Sequence, residues 1–447
     1  MRKLAIATFL LVAATQPAAA VDLVTSAKEF FGNSTYRGEA FVTGFLKNVQ
    51  NQSDKIDDKH FQFYSRLEMD TFTGITDELF FNFNAQAVAN TGRSETRRFL
   101  TPPGNERSEA RWIDVNRAFL SLEKFDYTVV VGKAPIEVGF ANLYAPTDRF
   151  GFVAGANPLH AQEFGVWQGR FDYFIENDTL SFYVMPFEER AQSSDGDSRW
   201  KGLSGDGTFF SVSTPTVVGG PPVRINERFR DSSVSNWSYM TKYEGVRDGF
   251  DFYALAHVGP SVYPVLESTT APNVFIKSQP KAFSPAAGAS VTFGEWQFYS
   301  DAIYQHTYDD EDQKFIKYSV GGTVRETEFA SELGLEEIRP VLEFSQDLSM
   351  SSQTATNFVT NSARSRPHRQ SVLMRITFQR DDEWSFRIGG THNFRDGDSS
   401  LGSQISFEPD DNTEFRLSGG FYNGPDDTQF GRWRKNDYIE LGFIRSF

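Results

Sequence analysis

Asp437-Tyr438-Ile439-Glu440-Leu441-Gly442-Phe443-Ile444-Arg445-Ser446-Phe447 closes the chain. Ile439, Leu441, Phe443 and Phe447 fall on one side of a period of two, while Tyr438, Glu440, Gly442 and Ser446 fall on the other. A strand that is apolar on one face, polar on the other and stops on an aromatic suits the closing strand of a transmembrane β-barrel. Soluble domains rarely end on a core strand, because their termini usually fray into solvent.

The other end of the chain agrees. Met1-Arg2-Lys3 is a basic start, Leu4 to Ala14 an apolar run of signal-peptide length, and Ala18-Ala19-Ala20 a small-residue cleavage site before Val21. That run is too short to anchor in a bilayer, which takes about 20 apolar residues. The expectation is a signal peptide over 1–20, cleaved after Ala20, and a single barrel domain over 21–447. Without cysteine the chain has neither disulfides nor a thiolate metal site.

Composition narrows the class further. No linker or low-complexity segment marks a domain boundary in the 447 residues, and after the first twenty no apolar run reaches 18, which excludes spanning helices. The mean hydropathy of −0.43 suits a barrel, since only alternate residues meet lipid. The 44 Phe and 16 Tyr suit an outer face with interfacial girdles. A net charge of −15 argues against nucleic acid, whose phosphates need clustered Lys and Arg.

Alternating segments read as strands at 36–47, 60–70, 77–89, 111–123, 127–135, 164–176, 179–189, 236–245, 250–259, 283–294, 295–307, 313–325, 337–346, 368–379, 384–394, 400–408, 414–423 and 437–447. Working back from Phe447, the connections alternate between long (outer) and short (periplasmic), as bacterial barrels require. Two spots break the rhythm: 326–336 is long for a periplasmic turn, and Asp309 to Asp312 is short for an outer loop. The expected fold is therefore an all-β, antiparallel up-and-down barrel of about eighteen strands, with sixteen as the alternative. A two-sheet sandwich would also alternate, but it would not sustain a polar face such as Asn82, Asn84 and Gln86 over eighteen strands.

Arg117-Ala118-Phe119-Leu120-Ser121-Leu122-Glu123-Lys124-Phe125-Asp126-Tyr127-Thr128-Val129-Val130-Val131-Gly132-Lys133 resembles the bacterial outer-membrane porin superfamily, in which a strand returns through V-x-x-G-[RK] just before the third outer loop. Pro146 to Phe150 is reminiscent of some porin-like barrels. The last strand is similar to the C-terminal signature of bacterial outer-membrane proteins, although Arg445 stands where that signature usually has an apolar residue. The resemblance implies a third loop, here Ile136 to Glu163, that folds into the lumen and narrows the pore. It also implies a place among outer-membrane lipid and lipopolysaccharide, and recognition of Phe447 by the barrel-assembly machinery. Homotrimer and monomer both stay open.

Alternation directs Arg66, Glu68, Lys242, Asp301, Arg339, Glu343, Arg375, Arg387, Arg416 and Glu440 into the lumen, because an Arg facing lipid at the midplane would cost roughly 2–4 kcal/mol. Either they form a lining that selects polar or anionic solutes, or they are ion pairs tying one wall to another. Lys133, Glu137, Asp148, Arg149 and Glu163 are the candidates at the narrow point. The acidic clusters Asp195-Gly196-Asp197, Asp309 to Asp312, Asp396-Gly397-Asp398, Asp410-Asp411 and Asp426-Asp427 have the oxygen chemistry of calcium ligands but read better as solvated turns. No catalytic motif appears, leaving only His257 or His392 beside a serine as an enzymatic thought. No cofactor, metal or catalytic residue is assigned. The expected role is passive, substrate-selective diffusion of small hydrophilic solutes. The alternatives are an export or assembly barrel working with a partner protein or polysaccharide, and a barrel enzyme.

Overall fold

The computed structural model describes residues 32, 34–49, 57–92, 111–150, 152–154, 157–187, 197–202, 220–221, 223–228 and 233–447. The expected signal peptide, with Asp195 and Gly196, lies outside the described residues. The barrel strands are β1 (Ser34–Phe45), β2 (Phe61–Gly74), β3 (Leu79–Asn90), β4 (Ile113–Glu123), β5 (Tyr127–Ala134), β6 (Val166–Ile175), β7 (Asp178–Met185), β8 (Ser238–Arg247) and β9 (Phe250–Pro260). They continue as β10 (Lys281–Phe293), β11 (Trp296–Thr307), β12 (Phe315–Val324), β13 (Glu337–Ser349), β14 (Gln370–Gln379), β15 (Trp384–Asn393), β16 (Asp398–Asp410), β17 (Thr413–Asn423) and β18 (Tyr438–Ser446).

Each strand pairs antiparallel with its sequence neighbours, and β18 returns to β1, so the sheet has no free edge. The terminal residue takes part in that closure. Phe447 N donates to Tyr36 O at 2.8 Å, and Tyr36 N donates to Phe447 O at 3.2 Å. Eighteen strands are present, not sixteen. The long periplasmic connection hides no strand: it holds a one-turn helix, Glu328–Glu332. Asp309 to Asp312 is a short outer loop. Ladder limits differ by a few residues elsewhere: Asp178 joins a strand, the strand expected over 179–189 stops at Met185, and the 409–413 turn shortens to 411–412.

The two faces separate as alternation requires. On β18, Leu441 is 62% exposed on the lipid side while Glu440 is 5% exposed on the lumen side. Leu417 and Leu441 are register partners, with Phe415 opposite Phe443 beside them, forming part of the apolar belt. Arg445 also points outward, near the periplasmic rim, with its guanidinium 5.9 Å from the Phe447 ring. There the interface replaces hydrocarbon, which removes most of the cost of the charge.

Above the barrel, pieces of three outer connections form a four-stranded sheet of 224–227, 274–278, 265–268 and 358–360. Residues 197–202 come from the connection between β7 and β8 but seat on the far wall. There Trp200 is enclosed by Phe45, Tyr422 and Trp433. Arg199 donates to the carbonyls of Lys47, Lys59 and Lys435. Replacing Leu417 by Arg should lower folding stability in lipid vesicles by roughly 2–4 kcal/mol. The same change at lumen-facing Ser418 should cost clearly less, with urea titration as the readout.

Candidate functional site: the lumen and its infolded loop

Just ahead of the third outer connection, between β5 and β6, strand β5 holds a backbone conformation that only glycine fits. Gly132 has φ 134°, and a Cβ there would lie 2.3 Å from Ala118 O. This is the physical content of the V-x-x-G-K ending. The loop then runs inward, and its apolar side joins the wall: Ile136, Val138 and Phe150 share a buried cluster with Met240, Leu255 and Ile303.

Two wall carboxylates hold its polar side. Asp301 on β11 accepts from Phe140 N and Ala141 N at 2.9 and 2.8 Å, and from the Tyr253 hydroxyl at 2.7 Å. Glu343 on β13 accepts from Asn142 N, Leu143 N and Tyr144 N at 2.6, 2.8 and 2.9 Å, and from the Tyr299 hydroxyl at 2.8 Å. Five consecutive backbone amides thus end on two buried side chains. Hydrogen bonds to charged groups contribute about 1.5–3 kcal/mol each, so this seating outweighs any single apolar contact in the loop. Gly139 sits in the bend, at φ 124°, where a Cβ would lie 2.7 Å from that of Ala145. Arg149 donates to Gln305 Oε1 at 2.8 Å, and burial pushes its pKa down to about 10.

The returning limb reaches another part of the wall. The His160 ring stacks on Tyr64 at 4.0 Å, and its Nε2 lies 3.2 Å from Glu440 Oε2. Held at β9–β13 and again at β1, β2 and β18, the loop crosses the lumen and divides it.

Two cavities flank it. The larger, of about 500 Å³, lies between the loop residues Leu143, Leu159 and His160 and the wall of β14 to β18. Arg375, Arg387 and Arg416 project into it. Arg416 is held by Glu414 at 2.9 and 3.0 Å. Among the described residues Arg375 and Arg387 have no hydrogen-bond or ion-pair partner. The smaller, of about 340 Å³, is lined by Glu137 and Glu163 together with Arg66, Glu68 and Arg117. Asp148 has surface open to the pore, yet the loop and wall crowd it. Burial, then the charges of Glu163, Glu137 and Asp301, push its carboxyl up to about 6.

Of the two expected uses of lumen charge, ion pairing is observed on several strands. Arg66 pairs with Glu39 at 2.7 Å, Lys242 with Glu244 at 2.9 Å and Arg339 with Glu337 at 2.6 Å. Arg339 lies at the periplasmic end of β13, below the narrow point. Lys133 is 4% exposed, with its ammonium 5.3 Å from the Phe164 ring, at the root of the loop. His392 faces lipid. His257 is a register partner of Ser284, but the Phe150 ring lies 4.9 Å from it, and among the described residues no carboxylate is hydrogen-bonded to it. Of the acidic clusters, Asp396 pairs with Arg369 and Asp426 with Arg434.

Alternation located Asp301 and Glu343 in the lumen but did not show that they clamp a loop. It also passed over His160, Tyr253 and Tyr299. The two tyrosines share the parity of their inward neighbours His257 and Asp301, which is the only sequence signal they carry.

Glu343→Ala removes the acceptor for three loop amides, so stability should fall by at least about 3 kcal/mol. Single-channel recordings should show a larger, noisier step. The Asp148 carboxyl binds its proton more tightly in the seated loop than at its ordinary value of 3.8. Protonation therefore favours seating, and that contribution is lost as the pH rises through about 6. Loop noise should increase between about pH 4 and about pH 7, and Asp148→Asn should flatten the dependence.

No family model and no curated protein matches the chain. Among solved structures, a BenF-like porin from Pseudomonas fluorescens Pf-5 is similar in fold, with a TM-score of 0.51 and 9% identity over 94% of this chain and 99% of that one. OccK11 (OpdR) of Pseudomonas aeruginosa is similar at a TM-score of 0.49 and 8% identity, over 93% of this chain and 95% of that one. The fold is that of outer-membrane porins.

Proposed function

We propose that a porin fold with an infolded third loop makes this protein an outer-membrane channel for passive diffusion of small hydrophilic solutes, with a preference for anionic ones such as carboxylates. One observation carries the preference. Two buried wall carboxylates, Asp301 and Glu343, are occupied by loop amides, whereas among the described residues Arg375 and Arg387 face the larger cavity with no hydrogen-bond or ion-pair partner. An open, low-dielectric passage lined by unneutralised arginines raises the local concentration of anions.

In this reading the apolar belt sits in the outer-membrane lipid, with lipopolysaccharide in its outer leaflet. Phe447, paired with β1, is the residue that the barrel-assembly machinery would engage. Signal-peptide cleavage after Ala20 and a homotrimeric state belong to the same proposal. We assign no enzymatic role: the His257 ring is packed 4.9 Å from that of Phe150, against the infolded loop.

Single-channel recording in a planar bilayer under a salt gradient tests the reading. The expected result is stable openings with an anion-selective reversal potential. Arg375→Ala/Arg387→Ala should shift that potential toward cations. A correctly folded barrel that stays silent would overturn the diffusion reading in favour of a partner-gated export role.

A further inference from the structure

Charge is unevenly divided between the two ends of the barrel. The eight periplasmic connections, 75–78, 124–126, 176–177, 248–249, 294–295, 325–336, 380–383 and 411–412, carry 14 carboxylates against 3 basic side chains. The nine outer connections carry 25 carboxylates against 24 basic side chains. Most of the chain's net charge of −15 therefore belongs to the periplasmic rim. Each of the rim's three bases is already beside a carboxylate: Lys124 by Glu78, Arg325 by Glu337 and Arg380 by Asp381. The connection 325–336 is the densest part, with Glu326, Glu328, Glu332 and Glu336.

Arg375 and Arg387 lie directly above this ring. Arg375 is four residues from the periplasmic end of β14 at Gln379, and Arg387 is three from the start of β15 at Trp384. At about 3.3 Å per residue the basic zone and the acidic ring are separated by about 10 Å along the strands. That is one Debye length at about 0.1 M salt, so the two zones keep their opposite signs instead of averaging.

We infer that the pore rectifies: a zone rich in anions stands in series with a zone rich in cations, and the junction between them makes the current depend on its direction. The inference rests on the channel reading above. With the periplasmic side positive, anions from the arginine zone and cations from the acidic ring both move toward the junction, which fills with carriers. With the polarity reversed both move away and the junction depletes. For a charged solute the same asymmetry sets how fast it crosses under a membrane potential.

The test uses the purified full chain, inserted in one orientation in a planar bilayer, with KCl as the only electrolyte. At about 0.1 M KCl the current should be about two-fold or more larger with the periplasmic side positive. At about 1 M, where the Debye length is about 3 Å, the ratio should fall toward one. Glu326→Gln/Glu328→Gln/Glu332→Gln/Glu336→Gln should reduce the low-salt ratio while the pore still opens. An open pore with equal currents at both polarities in low salt would overturn rectification and leave the channel reading standing. A barrel that never opens would remove both.

Discussion

Inside hydrocarbon no water is available to a backbone amide or carbonyl, and the rest of the structure depends on that constraint. A sheet satisfies it only by closing on itself. Here closure rests on the pairing of β18 with β1, from Arg37 opposite Ser446 to Phe45 opposite Tyr438, extended by the bonds between Tyr36 and Phe447. Once closed, the sheet has an inside and an outside, and every strand must put apolar side chains on one and polar side chains on the other. The alternation on β18 is a consequence of that demand.

A closed ring of eighteen strands is too wide to be filled by its own side chains. The third outer loop supplies the missing interior. Its seating uses two kinds of force at once: an apolar cluster around Ile136, Val138 and Phe150, and five amides collected by Asp301 and Glu343. The amides matter because a loop carried into a confined lumen would otherwise leave its backbone donors poorly satisfied. Spending the wall carboxylates on the loop has a second effect. Among the described residues it leaves Arg375 and Arg387, on β14 and β15, beside the larger cavity with no hydrogen-bond or ion-pair partner.

The histidines and acidic clusters look different once placed. His160 becomes a ring stacked between loop and wall, and His257 a neighbour of Phe150 packed against the loop. Asp396 and Asp426 become partners of arginines. Polar residues gathered in a barrel or its loops are more often satisfied by one another than reserved for a ligand. Arg375 and Arg387 stand out for the opposite reason.

The antiparallel order of strands around the barrel and the alternation of their faces were legible in the sequence, with the count read as about eighteen and sixteen left open. Alternation is local: whether Leu417 or Ser418 meets lipid is settled by its own parity within a short segment. The long and short connections supplied the rest, and even the irregular 325–336 turn did not disturb the count. Which lumen charge is paired was not legible. Asp301 is about 160 residues from the amides it binds, and Glu343 about 200. No periodicity links such positions, because the distance between them is set by closure of the whole ring. Parity determined that these carboxylates and arginines face inward. Only the tertiary structure decided that Asp301 and Glu343 are taken up by a loop while Arg375 and Arg387 have no partner among the described residues, since the loop's path across the lumen is fixed by contacts with strands from remote parts of the chain.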